Sequence, residues 1–297
     1  MWKDLGYAQI GCEFDHFNNQ INEVYLDEEG QPVVRETLGY AQTKWEYDNL
    51  GRISKESYYD AAGEPVVSKE GGYAYCQFSY GEEERWEEIQ YFDLEGKLIK
   101  RNDKGYSIIV YDYDEFGQKT GEHYWYYDTK RIRAFNTENN CTGISYYYEE
   151  NGDNTYIWYK GEGGEAAERK DIGIAEEFME YDVYGHVITK EYHMADPGDG
   201  GKDILGIHKE LGYAKVEYKY ENNVWTETRY YGADDGLIIP KGKGYAIYSR
   251  EYDELGQLKK EAYYDEEGYP VNYIDGKYAM VEYSYDANGY IEDRDYK

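Results

Sequence analysis

Apolar and polar residues alternate with a period of two in short runs that keep returning along the chain. Between residues 41 and 47, Ala41, Thr43, Trp45 and Tyr47 fall on one face, while Tyr40, Gln42, Lys44 and Glu46 fall on the other. The same register gives Ala8, Ile10, Cys12 and Phe14, then Ala74, Cys76, Phe78 and Tyr80. It returns as Ala214, Val216, Tyr218 and Tyr220, and as Ala279, Val281, Tyr283 and Tyr285. Such alternation, held in register over several copies, predicts a half-buried strand. Cys12 and Cys76 then count as small apolar members of its inner face. The run closes at Tyr47-Asp48-Asn49-Leu50-Gly51, where Asp first and Gly fourth predict a type I turn ended by a left-handed glycine. Equivalent turns are expected at 114–117, 182–185, 253–256 and 286–289. A second run over 52–59 leads into Tyr58-Tyr59-Asp60-Ala61-Ala62-Gly63, matched by Tyr263-Tyr264-Asp265-Glu266-Glu267-Gly268. Pro65-Val66-Val67, Pro32-Val33-Val34 and Pro270-Val271 follow the second turn. Proline cannot donate to a ladder, so this stretch reads as an edge or connector.

The units open at Gly6-Tyr7-Ala8, Gly39-Tyr40-Ala41, Gly72-Tyr73-Ala74 and Gly105-Tyr106-Ser107, 33 residues apart each time. Later openings read as Gly143-Ile144-Ser145, Gly173-Ile174-Ala175, Gly212-Tyr213-Ala214, Gly244-Tyr245-Ala246 and Lys277-Tyr278-Ala279. Their spacings are 38, 30, 39, 32 and 33. A fixed period of this length means one supersecondary unit copied in tandem, each copy burying its apolar face on its neighbours. Helical repeats of similar length need apolar residues at i, i+3, i+4 and i+7, which this chain lacks. The expected fold is all-β: an elongated tandem β-hairpin array, a β-solenoid or spiralling antiparallel sheet, with one three-strand layer per repeat. A single array over 1–297 is expected, regular over 6–117, irregular with loop insertions over 118–211, and regular again over 212–297, where it ends in a partial unit. The expected insertions include Arg131-Ile132-Arg133-Ala134-Phe135 and Asp196-Pro197-Gly198-Asp199-Gly200-Gly201.

Composition changes this picture in two ways. The 297 residues hold 41 Tyr, so tyrosine takes the packing role usually held by Leu and Ile, with an apolar body and a hydroxyl that stays wet. A chain 18% aromatic also folds despite a net charge of -30. That charge, without clustered Lys and Arg, excludes nucleic acid and anionic membrane surfaces as partners. No apolar stretch is long enough to be inserted in a membrane. Cys12, Cys76 and Cys141 are too few and scattered for a disulfide framework or a zinc site. No signal peptide precedes the first repeat, and the abrupt start at Met1-Trp2-Lys3 suggests a segment of a longer protein.

The turn units Tyr47-Asp48-Asn49-Leu50-Gly51-Arg52-Ile53 and Tyr285-Asp286-Ala287-Asn288-Gly289-Tyr290-Ile291 resemble the YD repeats of bacterial Rhs and teneurin proteins. The resemblance implies β-hairpin repeats coiling into a sheet or shell in secreted or surface-exposed proteins, with no catalytic residues. Two departures stand out: the doubled unit with its Tyr-Tyr-Asp-x-x-Gly-x-Pro-Val half, and the lack of a toxin or autoprotease segment. The Tyr-Tyr-Asp half is similar to the hairpins of choline-binding and glucan-binding cell-wall repeats. That similarity implies an extracellular or cell-surface module that binds envelope components.

Chemistry is sparse. His16, His123, His186, His193 and His208 have no metal-ligand spacing, and His193 beside Asp196 reads as a solvated turn. No nucleophile, zincin or phosphate-loop pattern appears, so an enzyme is not expected, nor a cofactor or a metal. The Asp residues of the turns are accounted for by turn geometry rather than by calcium, which takes six to eight oxygens. Aromatics remain, because Tyr and Trp faces stack on sugar rings and an array multiplies weak sites. Aromatics concentrate beside the irregular loops, and insertions in solenoids map to one face. The candidate ligand-binding residues are therefore Trp125, Tyr126, Tyr146, Tyr147, Tyr156, Trp158 and Tyr159. The leading expectation is a non-enzymatic module binding glycan or an envelope protein. The alternatives are a structural spacer or shell segment, and a protein-interaction module that self-associates end to end through an open edge. A spacer buries nearly all its aromatic rings, whereas a glycan binder leaves a row of them in solvent.

Overall fold

The computed structural model describes residues 6–81, 86–127, 130–195, 204–273 and 276–297. It is all-β, with nineteen strands and no helix among the described residues. The chain divides into two compact units, Met1–Ser145 with Gly161–Gly164, and Tyr146–Lys160 with Glu165–Lys297.

The first unit holds β1 (Gln9–Phe14), β2 (Gln20–Leu26), β3 (Gln42–Tyr47), β4 (Ile53–Tyr59) and β5 (Tyr75–Tyr80). It continues with β6 (Trp86–Phe92), β7 (Ile108–Tyr113), β8 (Lys119–Tyr127), β9 (Arg131–Arg133) and the first half of β10 (Gly143–Tyr148). The second unit holds the rest of β10, then β11 (Asn154–Lys160), β12 (Glu176–Tyr181), β13 (Val187–His193), β14 (Lys215–Glu221) and β15 (Val224–Tyr231). It ends with β16 (Ile247–Tyr252), β17 (Leu258–Tyr264), β18 (Met280–Tyr285) and β19 (Ile291–Tyr296).

Every ladder is antiparallel, and two kinds alternate. Within a hairpin the pairing is long: β3 and β4 pair from Gln42↔Tyr59 to Tyr47↔Ile53, with a bulge at Glu46/Tyr47 next to the turn. Between hairpins it is short, as in Lys55↔Gln77, Glu56↔Cys76 and Ser57↔Tyr75. The turn follows from its sequence. Asp48 Oδ1 accepts the Leu50 and Arg52 N–H groups at 2.9 and 3.0 Å, and Gly51 sits at φ +79°. The N–H groups therefore tie up the Asp carboxylate. The Arg52 N–H holds Asp48 below the usual carboxylate range, as the Tyr290 N–H does for Asp286.

Short pairing between hairpins leaves the turn ends of neighbouring strands unladdered. A tyrosine at the end of a hairpin's first strand bridges that gap. Tyr47 donates its hydroxyl to Gln20 O at 2.7 Å, and Tyr80, Tyr181 and Tyr285 repeat the bond to Ile53, Asn154 and Leu258, always 27 residues back. Tyr47→Phe should lower stability by about 0.5–1.5 kcal/mol through this one bond. An unchanged urea midpoint would show that the hydroxyl contributes nothing.

Burial concentrates at the opposite strand ends. Ala41 and Thr43 are buried at the start of β3, whereas Glu46 near its turn is exposed. There a ladder of tyrosine rings forms the core. Tyr7, Tyr25, Tyr40, Tyr58, Tyr73, Tyr91, Tyr106 and Tyr124 touch in succession in the first unit, with centroids 4.5–6.5 Å apart. Tyr192, Tyr213, Tyr230, Tyr245, Tyr263, Tyr278 and Tyr296 do the same in the second, at 4.8–6.4 Å. Arginines from the connectors cover the rings: Arg35 lies 5.0 Å from Tyr25, and Arg101 lies 4.8 Å from Tyr91 while it pairs with Asp103.

Four expectations need correction. The third segment of each repeat is not a strand. Pro32, Pro65 and Pro270 each make one bridge, to Leu26, Tyr59 and Tyr264. The connector then stacks on the preceding connector, as in Lys69 N–H to Leu38 O and Asn102 N–H to Gly71 O. Second, Arg131–Arg133 is not a loop but β9, paired with Trp125–Tyr127, because β8 runs on for nine residues and offers it an edge. Third, the middle repeat opens at Asn140-Cys141-Thr142 and not at Gly143. Asn140 takes the left-handed conformation at φ +60°, and its N–H bonds to Asn136 O as Gly105 N–H bonds to Arg101 O. Cys141 thus occupies a ladder-tyrosine position, fully buried. Fourth, Cys12 is exposed while Cys76 is buried. β1 is the first strand of its ladder among the described residues, so the face that covers Cys76 has no counterpart over Cys12. The segment 196–201 lies outside the described residues.

Candidate functional site

The seven aromatic candidates divide between the two units. Trp125 and Tyr126 belong to the first and the other five to the second. On β8, Trp125 lies under the Arg131 and Arg133 guanidinium groups at 5.2 and 4.9 Å, placed there because β9 pairs directly alongside. Tyr126 carries the Lys100 ammonium 3.6 Å from its centroid. Both rings are thus engaged by cations of the chain itself.

In the second unit, Tyr156 is opposite Phe178 across the β11–β12 ladder and stacks on it at 4.6 Å. Tyr147 packs on Tyr156 at 5.2 Å and His193 meets the edge of Phe178 at 4.6 Å, which makes a four-ring stack. The Tyr156 hydroxyl donates to Glu176 at 2.7 Å. Trp158, two residues on, shares this face, half-buried beside Lys160, and its Nε1 finds no protein acceptor. Tyr159 points to the other face. It is buried, donates to Glu177, and lies 4.9 Å from the Arg169 guanidinium. Burial and the neighbouring Glu177 push its phenol well above the usual range. Tyr146 is half-buried, and Tyr147, 46% exposed, is the member of the set most open to solvent.

Sequence reasoning missed a second feature, at the hairpin tips. Between the first two Asp turns lies a groove of about 880 Å³, lined by Asp15, His16, Phe17, Trp45, Tyr47 and Leu50 among others. Related grooves of about 430 and 610 Å³ flank Tyr181 and Tyr252 in the second unit. Each arises where the short ladder between hairpins stops and the tyrosine hydroxyl alone spans the gap. Among the described residues, no three His, Cys, Asp or Glu side chains converge as a metal ion requires.

No protein-family model matches the chain, and no curated protein does. Among solved structures, it is similar to TcdB2-TccC3-TEV at 12% identity and a TM-score of 0.32, over 97% of this chain and 14% of that one. TcdB2-TccC3-Cdc42 is similar at 12% identity and 0.32, over 94% of this chain and 15% of that one. The Tc holotoxin pore of Photorhabdus luminescens gives 11% and 0.19, over 97% and 18%. The chain thus spans about a seventh of the length of the first of these. Identity and superposition are both low.

Proposed function

We propose that the chain is a non-enzymatic structural repeat module, a spacer or wall segment of a bacterial surface or secreted protein. One observation carries this reading: the tyrosine ladders and most of the candidate rings are spent on the fold. The tyrosine ladders are buried through most of their length, and of the seven candidate rings six are half-buried or buried, five of them under cations or against other rings. Sugar stacking needs a bare face. Glycan binding is the weaker reading, and Tyr147 is its best foothold.

The test is binding to a broad panel of bacterial envelope glycans, with Tyr147→Ala/Trp158→Ala as the control. Tyr159 is left intact because its loss would damage the core. The folded chain should give no saturable binding. Saturable binding that the double change weakens would overturn the spacer reading and locate a glycan site on the β10–β12 face.

A further inference from the structure

Each repeat builds the same turn twice, and only one of the two sets repeatedly places an exposed apolar residue at its third position. Asp48 and Asp60 both accept two backbone N–H groups at 2.8–3.0 Å, and Gly51 and Gly63 both close their turns at positive φ. The third turn residue is Phe17, Leu50, Phe116, Tyr184 or Leu255 in the first set, and Glu29, Ala62, Glu95, Asp234 or Glu267 in the second. Asn151 and Asn288 depart from the first pattern. Since identical backbone geometry tolerates Glu, folding does not demand Phe or Leu. Phe17, Leu50 and Phe116 are nevertheless 61–76% exposed. In the first unit consecutive strands pair antiparallel, so the β1–β2, β3–β4 and β7–β8 turns lie on one edge.

We propose that this edge of the first unit docks a basic amphipathic helix of a partner protein, a role beyond that of a spacer. Three observations select that occupant. The Phe17 and Leu50 tips are two strands apart, about 9.6 Å, and the Leu50 and Phe116 tips four, about 19 Å, close to the roughly 10.5 and 21 Å between helical residues seven and fourteen apart and unlike the ~6.7 Å between same-face residues of a strand. The apolar tips flank the 880 Å³ groove, which accepts side chains of such a helix between Phe17 and Leu50. The tips carry acid: Asp15 in the Phe17 turn and Asp114 and Glu115 in the Phe116 turn add to Asp48, which already pairs with Arg52 at 2.7 Å, in a chain of net charge -30. That charge repels a second copy and an anionic membrane alike, and attracts Lys and Arg.

The probe is a synthetic helix of about three heptads with Leu at a and d and Lys elsewhere, titrated into the full chain by fluorescence anisotropy. Saturable binding that weakens with salt is expected. Phe17→Ser/Leu50→Ser/Phe116→Ser should weaken it about tenfold or more. Leu94→Ser, on an exposed apolar residue of the other edge, should leave it within about twofold. If the triple change unfolds the chain, Leu50→Lys alone replaces it, with the same expected direction. The proposal is overturned by no binding, by equal binding of the tip variant, by equal binding of a helix with Glu for Lys, or by self-association through the tips.

Discussion

Raising the pH above 10 should unfold the chain in one steep step. Burial pushes the phenols of Tyr58, Tyr73, Tyr106 and Tyr124 well above their usual range, and Tyr230 up to about 12. The fold therefore holds these groups neutral where the unfolded chain would ionise them. Their contribution is complete below pH 10 and is lost as the pH climbs from 10 toward the folded-state values. Each such tyrosine removes about 1.4 kcal/mol of stability per pH unit above 10. Four acting together match a typical total stability of roughly 5–15 kcal/mol within about one to three units. Circular dichroism and tyrosinate absorbance, followed together, should change in the same narrow interval. Gradual phenol ionisation near pH 10 with the β signal intact would refute a neutral ladder.

Tyr124→Ala should cost about 3–5 kcal/mol, the range for truncating a buried aromatic. Tyr124 is 2% exposed, stacks on Tyr106 at 4.9 Å and donates to Glu122, so the change opens a cavity and strips two neighbours of a partner. Layers of an array are stabilised by their neighbours, so the loss should spread to Tyr106 and Tyr91 and not remain local. Urea unfolding measures it, with Tyr290→Ala as the exposed control, expected within about 0.5 kcal/mol. Equal midpoints for the two variants would mean that the ladder is not the core.

Much of the fold was legible because its signals are local. An Asp that accepts the N–H groups two and four residues on and a period-two run each specify their own geometry, and both appear in the structure. The misreadings share one cause. Asn140 replaces Gly at a left-handed position, which the letters alone disguise, while the nearby Gly143 imitates an opening. Arg131–Arg133 looks like an insertion until the length of β8 provides it with an edge. Cys12 matches Cys76 in register, but among the described residues its strand is paired on one side, where that of Cys76 is paired on both. For the candidate site, richness in aromatics was visible, but not whether those rings were free. The tip row was legible in principle, by comparing the third residue of the two turn sets.

By itself, then, the sequence determined the period, the strands, the Asp-capped turns and the use of tyrosine as packing material, since all of these depend on residues a few positions apart. The tertiary structure decided which rings are covered and where apolar surface is left. Phe178 reaches Tyr156 across a strand pair, Arg133 reaches Trp125 through β9, and Tyr47 reaches a carbonyl 27 residues away. Exposure is a property of these long-range partners, so no run of neighbouring residues encodes it.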